Sequence, residues 1–469
     1  MNWTATPPPH PAYRALVDSR LAADLTGLPD LLTAARDYAA TVLDGLPDRP
    51  VAVPAPDVAP APLPVTGAGA SGALAEFRDR WAPGFSGSAG PRYLGFVTGG
   101  ATPAALIGDW LTGTFDQNAV TRQDSSAVDL ERETVAWLRE LFGLSDAHTG
   151  TFVTGATMSN TVGLAIGREW LGEQRGVSVS RQGVGALGDI AVLSGAPHSS
   201  IYKALAMLGV GRDQLRTVQL LADREAVDVA ALEEELRKGP AIVVANAGTV
   251  NTVDFDDLRA IAALKSKYAF WLHVDAAFGA FAALSPEHAE LLAGLDLADS
   301  ICVDLHKWLN VPYDAAVQFT RRRDLQVSVF QNTAAYLTLP SGDPDLFHLT
   351  PENSRRLRAL AAWFSLAAYG AEGHREIVTR NIAAARRLGG RLAEIPGARL
   401  LSPVRLNVVC FGVDRDVPAL LAAVASSGEA FLTPTVYQGV PALRAAFSNW
   451  RTQESDADRV ITVLRDLLT

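Results

Sequence analysis

Lysine is scarce in this 469-residue chain: it occurs only at Lys203, Lys238, Lys265, Lys267 and Lys307, whereas arginine is used freely. A site that needed only bulk positive charge would be expected to carry arginine, so each lysine invites a chemical question. Lysine, unlike arginine, can lose its proton in a sheltered site and attack a carbonyl. Cysteine is scarcer still, with Cys302 and Cys410 alone, each inside an apolar run ("SICVD", "LNVVCFGV"). That pattern favours two buried free thiols over a disulfide or a metal site. There is no uninterrupted apolar run long enough to cross a bilayer, and the opening "MNWTATPPPHPAYRALVDSR" has no basic stretch leading into an apolar core. A cytoplasmic location is therefore expected. Positive charge is also in deficit, the formal net charge being -10. Such an acidic surface has no general attraction for nucleic acid or anionic membrane, and neither is expected as a partner.

The composition that remains, 48% hydrophobic and 20% charged, is ample for a sizeable core. Two helical stretches, 11–25 and 28–43, precede "PDRPVAVPAPDVAPAPLPVTGAGASG", too rich in proline and glycine for a helix or a central strand. Residues 1–89 thus read as a helical arm with an extended connector. From about Gly90, short apolar runs bounded by glycine ("GTFVTG", "DIAVLSG", "AIVVANAG", "FWLHVDAAFG", "SICVDL") alternate with helical patterns at 159–173, 199–208, 229–238 and 255–267. Strands apolar throughout, alternating with helices, predict a mainly parallel sheet buried on both faces, an α/β domain over 90–345. A long helical segment, 352–393, then leads into "ARLLSPVRLNVVCFGV", a helix at 417–427, "LRAAFSNW" and a last helix from Ser455, a smaller α+β domain over 346–469. The glycine pattern "GVGALG", Gly183 to Gly188, leads into a strand instead of following one, which is the wrong order for a dinucleotide loop.

Three features carry chemistry. In "TFVTGATMSNTVGLAIGREW" a strand ends at Thr154 and a helix opens near Met158, so Ala156, Thr157 and Met158 offer backbone amides and a hydroxyl to an anion such as a phosphate. Asp275 closes an apolar strand, where a carboxylate needs a cationic or hydrogen-bonding partner, and the small Ala276, Ala277 and Gly279 leave room beside it for a flat heterocycle. Lys307 follows another strand within "DLHKWLN". In a parallel sheet the strand ends share one edge, so cradle, carboxylate and amine converge there. That set suits pyridoxal 5′-phosphate, whose phosphate, ring nitrogen and aldehyde need those three groups. His198, in "SGAPHSS", falls on the same edge, where its imidazole could stack on the ring. No metal site is expected.

With "PHSS", "HVDAAFG" and "HKWLNVPYD" in place, the chain resembles the group II pyridoxal-phosphate amino-acid decarboxylases, the aromatic-amino-acid, histidine and glutamate decarboxylases of fold type I, from about Pro91 to the C-terminus. The resemblance implies a fold type I architecture and a homodimer with active sites at the subunit interface. It implies Lys307 as the Schiff-base lysine, Asp275 as the partner of the ring nitrogen, His198 and Ala277 against the two ring faces, and Thr157 with the Met158 amide on phosphate. Thr249 in "NAGTVNTVDF" would lie near the cofactor, and His306 near phosphate or substrate. "GPRYLGFVTGG" corresponds to the segment lining the substrate pocket, which makes Phe96 and Thr98 candidates. Arg444 occupies a segment in which the wider superfamily holds the substrate α-carboxylate.

Two departures stand out. Asp304 replaces the asparagine usual two residues before the histidine of the lysine motif, and a second negative charge is unwelcome beside phosphate. The loop tyrosine that protonates the carbanion left by CO2 is also missing. Aligned back from "SRRLR", the stretch "DPDLFHLTPEN" has Leu346 or Phe347 at its place, with His348 the nearest group able to carry a proton and Tyr336 further upstream. The expected activity is decarboxylation of an L-α-amino acid. The alternative is another reaction of the same cofactor, such as decarboxylation coupled to oxidative deamination, β-elimination, aldol cleavage or transamination. Aromatic residues near Phe96 and the lack of an extra cationic cluster in these motifs lean towards a neutral substrate.

Overall fold

The computed structural model describes residues 18–54, 56–332 and 343–469. Its centre is a seven-stranded sheet: β1 (Thr149–Val153), β2 (Val192–Ser194), β3 (Leu215–Thr217), β4 (Ala241–Asn246), β5 (Phe270–Asp275), β6 (Ser300–Asp304) and β7 (Ala316–Thr320). The spatial order is β1-β7-β6-β5-β4-β2-β3. Only β7 runs against its neighbours, β1 and β6; the remaining pairings are parallel. Every residue of β4, β5 and β6 is buried, which is why these strands read as unbroken apolar runs and not as alternating patterns. β7 escapes a search for strand–helix alternation, because only the short turn Leu305–Trp308 and a few loop residues separate it from β6.

The helix Ala156–Gln174 packs across this sheet, and most of its length is buried. Its approach depends on glycine. A Cβ at Gly163 would lie 2.6 Å from the His273 ring, and one at Gly167 would lie 2.7 Å from Trp271. The expected helix 352–393 begins later, at Ala359, and the backbone at Gly370 (φ 59, ψ -173) divides it into two. Its start is delayed because Arg355 turns inward to pair with Glu131 at 2.7 Å, both side chains fully buried. The first half of this helix meets Gly108 of the helix Pro103–Phe115. Its second half reaches a four-stranded antiparallel sheet of order β10-β11-β9-β8, built from β8 (Ala398–Leu400), β9 (Val408–Val413), β10 (Thr433–Tyr437) and β11 (Val440–Ala446). Val409, Phe411, Leu443 and Phe447 join Val460 and Leu464 of the helix Glu454–Leu468 in a separate apolar cluster.

Near the N-terminus the helices Ser19–Thr26, Leu28–Asp44 and Gly69–Glu76 contain no buried residue. The expected helix over 11–25 is present from Ser19; its earlier part lies outside the described residues. Between Pro50 and Val65 the described chain has no regular structure, as its proline content dictates. "GVGALG" forms a short 3-10 turn, Val184–Leu187, ahead of β2. Cys302 and Cys410 are buried free thiols, and burial pushes both upward, Cys410 to about 12. Among the described residues no helix is long and apolar enough to cross a membrane.

Candidate active site

A cavity of about 390 Å3 opens where the strands end. Thr154 to Met158 enter it after β1, Ala196 and His198 after β2, Asn246 at the end of β4 with Gly248 and Thr249 beyond it, Asp275 at the end of β5 with Ala277 beyond it, and Asp304 at the end of β6 with His306 and Lys307 beyond it. Because β7 runs the other way, the residue that precedes it, Tyr313, reaches the same edge. Phe96, Val97 and Arg444 close the remaining side. Lys307 sits on the helical turn Leu305–Trp308 just past β6, with its Nζ 5.5 Å from the Phe278 ring centroid.

Asp275 is held from behind by a chain of hydrogen bonds. Its Oδ2 accepts from Asn160 Nδ2 at 2.9 Å and its Oδ1 from the Ala277 amide at 3.2 Å. Since the carboxylate can only accept, the amide oxygen of Asn160 faces His273, whose Nε2 is 2.9 Å away and must donate. His273 Nδ1 then accepts from the Ser300 hydroxyl at 2.8 Å, and Ser300 Oγ accepts from Trp271 Nε1 at 3.0 Å. Complete burial pushes His273 down to about 4, so the imidazole is neutral, as this direction of donation requires. Asn160 also donates to Ser200 Oγ at 3.1 Å, and Ser200 Oγ lies 2.8 Å from His198 Nδ1. The Ser200 amide donates to that same nitrogen at 3.3 Å, so His198 carries its proton on Nε2. Burial, aided by Lys307 and Arg444 and opposed by Asp275, lowers the His198 pKa and favours this neutral form.

The lysine turn is clamped from the opposite side. Asn310, in the left-handed region at φ 57, donates from Nδ2 to the carbonyls of Gly99 (2.9 Å), Ser448 (2.6 Å) and Lys307 (3.2 Å). Gly99 is tight against it: a Cβ there would lie 1.7 Å from the Lys307 carbonyl oxygen. Asp304, only 3% exposed, accepts from the Ala156 amide at 3.2 Å and faces His306 Nε2 at 3.2 Å and Lys307 Nζ at 3.4 Å. Burial pushes the Asp304 carboxyl up, but Lys307 and His306 outweigh it and hold the pKa below the ordinary value.

The other expected residues divide. Thr249 lines the cavity, its hydroxyl donating to Glu225 at 2.6 Å. Phe96 lines it at a left-handed φ of 57. Thr98 stands behind Tyr313, the two hydroxyls 3.4 Å apart, and is not itself in the wall. Arg444 lies on β11, as its segment suggested, but its guanidinium donates to the Val250 carbonyl (2.8 Å) and the Phe96 carbonyl (3.1 Å). His348 stands apart from the cavity of its own chain. It is 2% exposed, its Nδ1 accepts from the Asn332 amide at 3.1 Å, and it does not reach the cavity. Tyr336 lies outside the described residues. Sequence reasoning missed Asn160, His273, Ser300, Asn310 and Tyr313. A signal existed for His273, two positions before Asp275 and so on the same face of β5. Asn160 was visible as a polar residue in a helix interior, where asparagine is a poor helix former.

The donor set fits pyridoxal phosphate: a buried carboxylate fixed by Asn160 faces the cavity, and Asn246 Nδ2 is a buried donor without a partner. Comparison with known proteins agrees. Residues 67–414 match the family model described as the pyridoxal-dependent decarboxylase conserved domain. The chain belongs to this family. Its members include an aromatic-L-amino-acid decarboxylase of Bacillus atrophaeus, 28% identical over 72% of this chain and 70% of that protein. A phenylacetaldehyde synthase of a Rosa hybrid cultivar is 24% identical over 84% of this chain and 83% of that one. Among solved structures, Oryza sativa TDC with PLP and tryptamine superposes with a TM-score of 0.87 at 22% identity, covering 94% of this chain and 98% of its own. The architecture is therefore fold type I, and this decarboxylase-family chain is a pyridoxal-phosphate enzyme.

Proposed function

We propose that this family member decarboxylates an L-α-amino acid with a neutral, aromatic side chain. The observation that carries the reading is the convergence of Lys307, Asp275, His198 and the Ala156–Met158 amides on one cavity. Lys307 would hold the cofactor's carbonyl carbon, Asp275 its ring nitrogen, His198 and Ala277 its two faces, and the amides at 156–158 its phosphate. When bound, pyridoxal phosphate supplies an electron sink for the pair released as the α-carboxyl group leaves as CO2. Asp275, oriented by the Asn160 bond, would face the ring nitrogen and hold a proton there. His198 presents Nε2–H to the cavity. Arg444 has spent two guanidinium nitrogens on carbonyls, which leaves the substrate carboxylate without a strong clamp, as decarboxylation favours. Arg444 is the one arginine among the described wall residues, with both terminal nitrogens on carbonyls, while Phe96, Phe278 and Tyr313 offer aromatic walls. Tyr313, the one tyrosine among the described wall residues, takes the place of the missing loop tyrosine as proton donor.

The second reading is decarboxylation coupled to oxidative deamination, giving an aldehyde. It is favoured by Leu346 and Phe347 in the loop, by the burial of His348, and by the phenylacetaldehyde synthase among the relatives. A panel of aromatic amino acids separates the two, with CO2, amine, aldehyde, ammonia and peroxide all measured. Amine with CO2 supports the first reading, and Tyr313→Phe then shifts product towards aldehyde. Aldehyde and peroxide without amine from the unaltered enzyme overturn it. Lys307→Ala should abolish the absorbance near about 420 nm of lysine-bound cofactor; persistence of that band would remove Lys307 from the role.

A homodimer is part of the same proposal. The N-terminal helices bury nothing in the single chain, and Leu21, Leu25, Leu28 and Leu32 stand exposed along them, as do Ile107, Trp110 and Phe115 on the helix Pro103–Phe115. A second copy covering both surfaces accounts for them. Sedimentation equilibrium should give twice the chain mass, and a monomer would refute it.

A further inference from the structure

We infer that Asp304 is an internal anion that competes with the cofactor's phosphate, and so determines how strongly this enzyme distinguishes phosphorylated from unphosphorylated cofactor. The inference rests on the reading of residues 154–158 and Lys307 as the cofactor's cradle and anchor. Asp304 closes β6 with its backbone fixed, since its amide donates to the Ala277 carbonyl at 2.8 Å. Its side chain is almost wholly buried, and the three donors it gathers are those a phosphate in the cradle would use or neighbour. The Ala156 amide opens the helix Ala156–Gln174, where the aligned peptide dipoles favour an anion. His306 offers no second donor, because its Nδ1 accepts from the Ala315 amide at 3.4 Å and its Nε2–H is the bond to Asp304. Lys307 supplies the compensating positive charge at 3.4 Å.

Loading removes part of that compensation. Once Lys307 is engaged with the cofactor, the positive charge at its nitrogen is shared with the cofactor's own anionic groups, and the phosphate brings further negative charge to a buried carboxylate. Two like charges in a sheltered site repel by far more than in water. Asparagine at 304 has nearly the same shape, keeps an oxygen for the Ala156 amide and removes the charge. Asp304 also lies 3.4 Å from the Lys307 amine that would take the aldehyde, so pyridoxal, which carries the aldehyde without the phosphate, reports that effect, and the difference between the two forms isolates the phosphate.

The test is equilibrium binding to cofactor-free protein, followed by tryptophan fluorescence quenching. It compares pyridoxal phosphate, pyridoxal and inorganic phosphate on wild type, Asp304→Asn and Asp304→Ser, with circular dichroism to verify folding. Asp304→Asn should tighten pyridoxal phosphate and inorganic phosphate at least about tenfold more than it tightens pyridoxal; Asp304→Ser, also uncharged, should move both phosphate ligands in the same direction. Unchanged or weaker phosphate binding in both folded variants, with pyridoxal phosphate still attached to Lys307, overturns this inference alone. If inorganic phosphate fails to compete with pyridoxal phosphate in any of the three proteins, the cradle assignment falls and the inference with it.

Discussion

Acid should destabilise this protein through His273, and the structure gives both the size and the window. The imidazole is completely buried, with Nε2 donating to Asn160 and Nδ1 accepting from Ser300, and burial pushes it down to about 4. An unfolded histidine titrates near about 6.5, so the fold favours the neutral ring. The associated stability is fully present above about pH 6.5 and is lost progressively as the pH falls towards about 4. The interval is worth about 3 kcal/mol for this one side chain. At about pH 5.3, midway, the unfolded ring is almost fully protonated and the folded one almost fully neutral, so unfolding takes up about 0.9 proton at this site. Urea unfolding followed calorimetrically in two buffers of different ionisation enthalpy counts that proton. His273→Gln retains an amide donor for Asn160 and an acceptor for Ser300 but cannot titrate, and its uptake should be lower by that amount. Equal uptake in the two proteins would mean that His273 is already charged in the fold, and the direction of donation through Asn160 to Asp275 would be wrong. His374, also pushed to about 4 by burial, falls in the same window, and only a variant at its own position should remove its contribution.

Other perturbations follow from the same contacts. Asn310→Ala leaves the Gly99 and Ser448 carbonyls without their donor and places alanine at a left-handed backbone, a loss of about 2–5 kcal/mol, of which Asn310→Gly should recover about 1 kcal/mol. Urea midpoints rank the three proteins, and slower borohydride trapping of cofactor on Lys307 reports displacement of the turn; unchanged values in Asn310→Ala would show that the clamp is not needed. Arg355→Met strands Glu131 in the interior and should cost about 3–5 kcal/mol, whereas Arg355→Met with Glu131→Leu should cost much less. Equal losses in the single and double variants, measured by urea unfolding, would contradict a buried pair whose isolated charge is the penalty.

Asp275, His198 and the residues at 156–158 could be placed at this edge because each closes a strand or opens a helix, and Lys307 and Thr249 because each follows a strand end by three residues. Tyr313 was overlooked because the strand it precedes, β7, runs antiparallel and has no helix before it. His348 differs from these in its surroundings. Its place in the alignment made it the nearest proton carrier, and the fold buries it and has its Nδ1 accept from the Asn332 amide. Arg444 was placed on its strand correctly, but which acceptors its guanidinium meets depends on the approach of residues 96 and 250, remote in the chain.

The sequence by itself pointed to a mainly parallel α/β core, a smaller α+β region after it and the edge on which the chemistry-bearing residues gather. These follow from short-range patterns: apolar runs of strand length, helix periodicity and glycine at the turns. Only the tertiary structure decided that Asn160 links Asp275, His273 and Ser200, that Asn310 locks the lysine turn, and that Asp304 takes the Ala156 amide for itself. Each of these depends on how closely a helix lies on the sheet and which strand stands beside which. Gly163 and Gly99 are where that closeness is allowed, since a single added methyl at either would push the site apart.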